Sequence, residues 1–146
     1  MTVNVLLLHG PNLNLLGERK PEVYGTMTLA QLNAELRKTA SKLRLRLRIF
    51  QSNHEGELID LLHRQRRWMD GLVINPGAYT HYSYALRDAI ESVEVPAFEV
   101  HLSNIHAREP WRRVSVLSDV VKRQIVGKGI DSYREALQLL AKPAPR

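Results

Sequence analysis

The sequence of 146 residues contains no cysteine, which excludes disulfides, thiolate nucleophiles and zinc–thiolate sites. Aromatic residues make up only 6% of the chain, fewer than a groove that stacks nucleic-acid bases usually shows. No apolar stretch approaches the ~20 residues that are needed to cross a bilayer. These absences predict a soluble protein, cytoplasmic by default, that binds neither a membrane nor nucleic acid.

The chain is nevertheless basic, with a formal net charge of +6 at neutral pH. Its positive residues are scattered along the chain, apart from two clusters at 42–48 and 64–67. A basic surface can bind nucleic acid or an anionic small molecule, or it can simply keep a protein in solution. Because neither cluster is interleaved with aromatic residues, a nucleic-acid-binding module remains the less favoured alternative.

Apolar runs alternate with segments of helical periodicity. Near-continuous apolar runs predict buried strands at 3–8, 71–75 and 96–102, with a short fifth strand at 120–126. At 45–51 apolar residues alternate with arginines, which predicts a strand at the sheet edge. Helices are predicted between these strands and after the last one, at 28–43, 56–67, 81–92 and 132–141.

This element order predicts one domain over residues 1–146. Strands that alternate with helices form a parallel sheet covered on both faces. With the second strand outermost, the fold class is α/β, a flavodoxin-like, doubly wound, five-stranded parallel sheet in the order 2-1-3-4-5. Capping-box spacing marks two helix starts, Thr28 with Gln31 and Ser52 with Glu55, and Thr80 is the expected cap of the helix at 81–92.

Polar residues stand where three of these strands end. His9, Asn12 and Asn14 follow the first strand, Asn75 ends the third, and His101 and Ser103 end the fourth. A single Asn or Ser at a strand end is often only a turn former. Ligands collect at the carboxyl edge of such sheets, where the strand order reverses. Three polar strand ends at that edge therefore predict a functional site.

Several kinds of chemistry lack their motifs. The chain has neither glycine-rich phosphate-binding motif, G-x-G-x-x-G or G-x-x-x-x-G-K-[ST]. Its histidines lack metal-ligand spacing, and no serine lies in G-x-S-x-G. No lysine interrupts the apolar strands predicted at 3–8, 71–75 and 96–102, where an imine-forming amine is expected. The prediction is a site without metal or cofactor, where Tyr and His perform acid–base chemistry and arginines bind an anion.

Five segments resemble motifs of type II 3-dehydroquinate dehydratases, in the same order along the chain. They are LLHGPNLNLLG at 7–17, RKPEVYG at 19–25, QSNHEG at 51–56, NPGAYTHYS at 75–83 and EVHLSNIHARE at 99–109. The resemblance implies a flavodoxin-like enzyme that dehydrates 3-dehydroquinate by anti elimination through an enolate, without a cofactor. It also implies a homododecamer.

The resemblance assigns four residues to catalysis. Tyr24 is expected to be the base that removes a proton next to the ketone, and His101 the general acid that protonates the departing hydroxyl. Glu99 would orient the His101 ring, because residues two apart on a strand face the same way. Asn12 would hold the enolate oxygen through a water molecule.

Further residues are expected to bind the substrate. The resemblance implies that Asn75, His81 and Arg112 bind hydroxyl groups, while Leu102 and Ser103 receive the carboxylate. Asp88 would come from a neighbouring subunit. The chain departs from the family pattern at Pro110, so Arg108 and Arg113 remain alternatives to Arg112.

A tyrosine base needs help from its surroundings, because a free tyrosine is phenolate in only about one molecule in a thousand at neutral pH. A cation ~4 Å away stabilises an anion by about 4 kcal/mol in a partly shielded site. Arg19, five residues before Tyr24, is the expected catalytic cation. Since shielding requires that water be excluded, the segment 17–25 is predicted to be a lid. The remaining alternative enzyme is an acid–base catalyst for another polyhydroxy carboxylic acid.

Overall fold

Five parallel strands form the central sheet of the computed structural model, which describes residues 2–142. The strands are β1 (Val3–His9), β2 (Leu45–Gln51), β3 (Gly71–Asn75), β4 (Ala97–His101) and β5 (Arg123–Val126). Their order across the sheet is β2-β1-β3-β4-β5, and every neighbouring pair is parallel. The predicted α/β class, the strand order and the edge position of the second strand are confirmed.

Helices cover both faces of this sheet. They are α1 (Pro21–Tyr24), α2 (Leu29–Lys42), α3 (Glu55–Gln65), α4 (Tyr84–Ser92) and α5 (Ile130–Ala141). Helices α2 and α5 share a buried apolar cluster with Val5 and Leu7, whereas α3 and α4 share one with Leu6 and Leu8. Alternate residues of β1 thus enter opposite cores, which explains its unbroken apolar run. Within residues 2–142 no helix combines the length and apolar content needed to span a bilayer.

The capping predictions were right for one helix and wrong for two. Thr28 and Gln31 form the predicted capping box of α2. The side chain of Ser52 instead accepts a hydrogen bond from the His54 backbone N–H at 3.0 Å, so it forms a turn rather than a cap of α3. The cap of α4 is Ser83 and not Thr80, because residues 77–81 form a separate 3₁₀ turn before the helix.

Several element ends also differ from the prediction. The strand β5 starts at Arg123 because residues 117–120 form a turn, in which the Val120 N–H donates to the Leu117 carbonyl at 3.0 Å. Helix α3 starts at Glu55 and ends at Gln65, and α5 starts two residues earlier than expected. Pro96 and Leu102 flank β4 rather than belong to it. The predicted end of the last helix, at residue 143, lies outside the described residues.

The strands end in register at one edge of the sheet. In the parallel ladders, His9 pairs with Gln51 on one side and with Asn75 on the other. The Gly10 N–H then donates to the Asn75 carbonyl at 2.7 Å. A Cβ atom at Gly10 would lie 2.6 Å from the backbone of Pro76, so only glycine permits this approach. The polar strand ends therefore converge as the sequence predicted.

The burial of His9 should make the protein sensitive to acid. Burial lowers the pKa of His9 from 6.5 to about 4, although a hydrogen bond with Asn33 opposes the shift. The unfolded chain therefore binds a proton that the folded chain excludes, so the free energy of unfolding falls as pH drops from about 6.5 to about 4. Between pH 7.5 and 4.5, wild type should lose about 2–3 kcal/mol more than His9→Gln in urea unfolding.

The comparison with His9→Gln removes the contributions of all other titrating groups, since they are shared by both proteins. Equal losses of unfolding free energy in the two proteins would contradict a buried neutral His9.

Candidate active site

A cavity of about 270 Å³ opens at the carboxyl edge of the sheet, beyond β1, β3 and β4. Most residues that the sequence singled out for a site line this one cavity. They are Asn12, Arg19, Tyr24, Asn75, His81, His101, Leu102, Ser103 and Arg112. The structure therefore brings together residues that lie up to 100 positions apart in the chain.

Two predicted site residues do not line the cavity. Glu99 is completely buried behind His101. Asp88 is exposed on α4, and its expected contribution to the site of a neighbouring subunit stays a prediction. Of the other polar strand ends, His9 is buried beneath the cavity and Asn14 is exposed.

His101 and Glu99 form a buried pair at the end of β4. The His101 Nε2 atom lies 2.6 Å from Glu99 Oε2. The carboxylate also accepts hydrogen bonds from three further side chains, which belong to Thr80, Ser115 and Gln124. Burial opposes ionisation, but the hydrogen bonds outweigh it and keep the pKa of Glu99 below its usual value. A fixed carboxylate thus orients the ring, and Nδ1 is the ring nitrogen left for a ligand.

No sequence pattern pointed to the three further donors around Glu99. Ser115 and Gln124 lie in or beside the charged segment after β4, where nothing distinguishes them from surface residues. Thr80 looked like a helix cap, but it donates its hydroxyl proton to Glu99 Oε2 at 2.5 Å. A buried carboxylate requires such partners, so their existence could have been expected although their positions could not.

Tyr24 lies between two arginines. It is the last residue of the short helix α1, which the sequence had predicted to be part of a loop. Arg108 donates a hydrogen bond from Nη1 to the Tyr24 hydroxyl oxygen at 2.7 Å. The guanidinium carbon of Arg19 lies 4.4 Å from the centre of the Tyr24 ring. Arg19 therefore lies near the ring, as expected, but the direct partner of the hydroxyl is Arg108.

The sequence analysis missed this pairing because 84 positions separate Arg108 from Tyr24. Both residues stand in motifs that carried the resemblance, yet no local pattern connects them. The glycines at the two ends of the predicted lid, Gly17 and Gly25, have φ angles of 91° and 83°. Glycine adopts such positive φ angles without steric strain, so the backbone at both positions is less restricted than that of other residues. Movement of the lid stays a prediction.

The arginines after β4 have separate positions. Arg112 lines the cavity and pairs with Glu109, whose Oε2 lies 2.5 Å from Nε. Arg108 is hydrogen-bonded to the Tyr24 hydroxyl, and the Arg113 side chain is exposed. Pro110 starts the 3₁₀ turn Pro110–Arg113 without displacing Arg112 from the cavity. Of the three candidates, the geometry favours Arg112 for substrate hydroxyls.

His81 lines the cavity, and its hydrogen bond shows which ring nitrogen carries the hydrogen. Its Nδ1 atom lies 2.6 Å from the Val114 carbonyl oxygen, which can only accept, so Nδ1 carries the hydrogen. Burial lowers the pKa of His81, and the nearby His101 and Arg112 lower it further, against the hydrogen bond to Val114. A neutral His81 leaves Nε2 free to accept a hydrogen bond from a hydroxyl group.

Asn12 is held by a turn from another part of the chain. It has a left-handed conformation with φ 70°, and its N–H donates to Asn53 Oδ1 at 3.0 Å. Asn53 is anchored in turn by Gln51, which donates to the same oxygen, and by the Tyr79 hydroxyl, which donates to its carbonyl. The motif at 51–56 therefore supports the cavity wall, a role that its sequence did not reveal.

The arrangement suits an anion and acid–base chemistry. Three arginines line the cavity, and the one buried carboxylate beside it is already bonded to His101. Tyr24 and His101, whose hydroxyl and imidazole are groups that transfer protons, line the same cavity. Within residues 2–142, no three His, Asp or Glu side chains come close enough to hold a metal ion.

Comparison with known proteins identifies the family. Residues 3–141 match the family model described as dehydroquinase class II. The 3-dehydroquinate dehydratase of Anoxybacillus flavithermus is 56% identical over 94% of this chain and 93% of its own length, and that of Halothermothrix orenii is 52% identical over 93% and 92%.

Solved structures agree with the sequence comparison. The crystal structure of the type II dehydroquinase from Butyrivibrio crossotus superimposes with a TM-score of 0.94 at 41% identity, covering 97% of this chain and 99% of that one. The resemblance seen in the five sequence motifs and the flavodoxin-like fold that it implied are thereby confirmed. The chain belongs to the class II dehydroquinase family.

Proposed function

We propose that the chain converts 3-dehydroquinate into 3-dehydroshikimate by anti elimination of water through an enolate, with Tyr24 as base and His101 as general acid. One observation carries the proposal. The Tyr24 hydroxyl, bonded to Arg108, lines the same cavity as His101, which is backed by a buried carboxylate. Base and acid thus share one space with three cationic side chains.

Positive charge makes Tyr24 a plausible base. The Arg108 guanidinium donates directly to the hydroxyl oxygen, and only 13% of its side chain is exposed. Hydrogen bonds to charged groups are stronger than neutral ones. At ~4 Å in a partly shielded site, one cation stabilises an anion by about 4 kcal/mol, and Arg19 lies near the same ring. The two arginines together favour the phenolate that proton removal requires.

The reaction proceeds in two proton transfers. The Tyr24 phenolate takes the proton from the carbon next to the ketone, and the electron pair moves onto the ketone oxygen as an enolate. His101 then gives a proton to the hydroxyl group at the β-carbon, the carbon–oxygen bond breaks, and water leaves as the enone forms. The buried carboxylate of Glu99 stabilises the imidazolium before this transfer. Solvent exchange restores both groups.

Other cavity residues bind and orient the substrate in this proposal. Asn75, His81 and Arg112 bind its hydroxyl groups, and Leu102 and Ser103 bind its carboxylate. Asn12 holds the enolate oxygen through a water molecule. Their shared position on the cavity wall supports these roles. Because the proton transfers use only side chains of this chain, the proposed reaction needs neither a metal nor an organic cofactor.

The proposed assembly is a homododecamer in the cytoplasm, with Asp88 completing the site of an adjacent subunit. The exposed position of Asp88 on α4 is compatible with that contact. The only partner proposed besides other copies of the chain is the anionic substrate. Neither nucleic acid nor a membrane is expected to bind.

Purified protein with a chelator present should produce an absorbing enone from 3-dehydroquinate, measured by ultraviolet spectroscopy. Tyr24→Phe and His101→Ala should each reduce kcat by about 10²–10⁴-fold, the range for general acid–base groups. Neither change removes an apolar core contact, so urea unfolding should still be cooperative for both variants.

Two exposed residues provide matched controls. Tyr84→Phe removes an exposed tyrosine hydroxyl, and His106→Ala removes an exposed imidazole near the same cavity. Both should retain wild-type turnover. An absence of enone product with wild type, or full activity in Tyr24→Phe, would refute the proposed reaction or the proposed base, respectively.

Removal of Arg108 should slow the reaction. The hydrogen bond from Arg108 to the Tyr24 hydroxyl stabilises the negative charge that proton removal requires, and a hydrogen bond to a charged group contributes ~1.5–3 kcal/mol. Arg108→Met should therefore lower kcat about 10- to 150-fold in the enone assay.

The control is Arg113→Met, which removes the same charge from an exposed side chain in the same segment. Its kcat should equal that of wild type. If Arg108→Met kept wild-type kcat, Arg108 would not act on the base.

A further inference from the structure

Four polar side chains from four different elements form one hydrogen-bonded row, in which three residues are buried and Asn33 is half-buried. They are Asn33 of α2, His9 of β1, Tyr133 of α5 and Asn75 of β3. His9 Nε2 lies 2.8 Å from Asn33 Oδ1, and His9 Nδ1 lies 3.0 Å from the Tyr133 hydroxyl. The Tyr133 hydroxyl is also 3.0 Å from Asn75 Nδ2. Of these residues, only Asn75 lines the cavity.

The orientation of the Asn75 amide can be deduced from its neighbours. The Gly77 N–H lies 3.2 Å from one side-chain atom of Asn75, which must be the oxygen because an N–H needs an acceptor. The amide nitrogen therefore faces Tyr133 and donates to its hydroxyl oxygen. The opposite orientation would bring two donors together at Gly77 and leave the Gly77 N–H without a partner.

The same logic fixes the rest of the row. The Tyr133 oxygen already accepts from Asn75, so its single proton is donated to His9 Nδ1. The neutral His9 ring then carries its hydrogen on Nε2 and donates it to Asn33 Oδ1. All three hydrogen bonds run in one direction, from Asn75 through Tyr133 and His9 to Asn33.

Burial keeps this direction from reversing. Tyr133 and His9 are both completely shielded from solvent. Burial raises the pKa of Tyr133 and lowers that of His9, so the phenol keeps its proton and the ring stays neutral. A second hydrogen on the His9 ring would lie on Nδ1 and point at the Tyr133 hydroxyl. Nδ1 could then no longer accept the hydrogen bond that this hydroxyl donates. The row therefore has one stable arrangement at neutral pH.

We infer that Tyr133 and His9 are positioning residues that hold the Asn75 amide in a single orientation for a substrate hydroxyl. The Asn75 amide donates one of its two N–H groups to the Tyr133 hydroxyl, and its oxygen accepts one hydrogen bond from the Gly77 N–H. One N–H donor and one acceptor position of the amide are therefore left for the ligand. The inference rests on the proposed function, through the substrate-binding role of Asn75. It adds two residues that touch no substrate and act only through Asn75.

The test is a double-mutant cycle on the enone assay. Tyr133→Phe removes one hydroxyl and should raise KM about five- to tenfold, with a smaller change in kcat, because binding rather than proton transfer is impaired. Asn75→Ala should raise KM further. In the Asn75→Ala background, Tyr133→Phe should add nothing, because its effect passes through the missing amide. Tyr82→Phe, at an exposed tyrosine, should leave KM unchanged.

A general structural role for Tyr133 would instead raise KM by the same factor in both backgrounds, and that result would overturn the inference. So would an unchanged KM in Tyr133→Phe. Wild type without turnover would refute the proposed function rather than the positioning role, so the two failures can be told apart.

A second measurement uses the unmodified protein and does not depend on a variant that folds. Nitrogen-15 NMR of the histidine side chains distinguishes the two neutral ring forms. The signal of His9, assigned by its absence in His9→Gln, should show hydrogen on Nε2 and an unprotonated Nδ1 at neutral pH. Hydrogen on Nδ1 would reverse the direction of the row and overturn the inference.

Discussion

The hydrogen bond from Arg108 to Tyr24 is the contact on which the proposed chemistry depends. A tyrosine hydroxyl is a poor base unless the phenolate is stabilised, and stabilisation by charge is strong only where water is limited. Here the arginine is largely buried and points at the oxygen itself, while Arg19 lies near the ring. The fold makes this possible by joining the loop after β1 to the segment after β4.

At His101 the neighbouring charge is negative, whereas at Tyr24 it is positive. Glu99 is sealed from solvent and accepts hydrogen bonds from four side chains, one of them His101. The buried carboxylate contacts the cavity only through the His101 imidazole, whose ring it orients. Because Glu99 is already hydrogen-bonded, it does not pair with the arginines of the cavity. The arginines beside Tyr24 and the carboxylate behind His101 thus occupy separate parts of the site.

The sequence predicted most of the fold because the core patterns are local. The unbroken apolar run of β1 and the alternating pattern of β2 follow from burial on two faces and on one, respectively. Helix caps were harder to predict, because Ser, Thr and Asp bond to backbone in turns as readily as in caps. Ser52 was misread for this reason, because its hydroxyl accepts a hydrogen bond from the His54 N–H in a turn. Thr80 was misread because its hydroxyl donates to the buried carboxylate of Glu99, a distant partner in the sequence.

The site could be predicted as a set of residues but not as a set of contacts. The resemblance pointed to Tyr24, His101 and Arg112, and Arg19 was expected near Tyr24, but the hydrogen bond from Arg108 to the Tyr24 hydroxyl was not anticipated. Pairings such as Arg108 with Tyr24, or Tyr133 with Asn75, join residues more than 50 positions apart. Such contacts depend on tertiary packing, which no local pattern encodes.

The protonation state of Tyr24 itself tests the central claim most directly. Protein labelled with carbon-13 at the tyrosine ring carbon that bears the hydroxyl can be titrated by NMR, and the Tyr24 signal is assigned by its absence in Tyr24→Phe. The account predicts that this signal moves to the phenolate position within the pH range in which the enzyme turns over. A Tyr24 signal that stays at the phenol position throughout that range, while turnover continues, would contradict it.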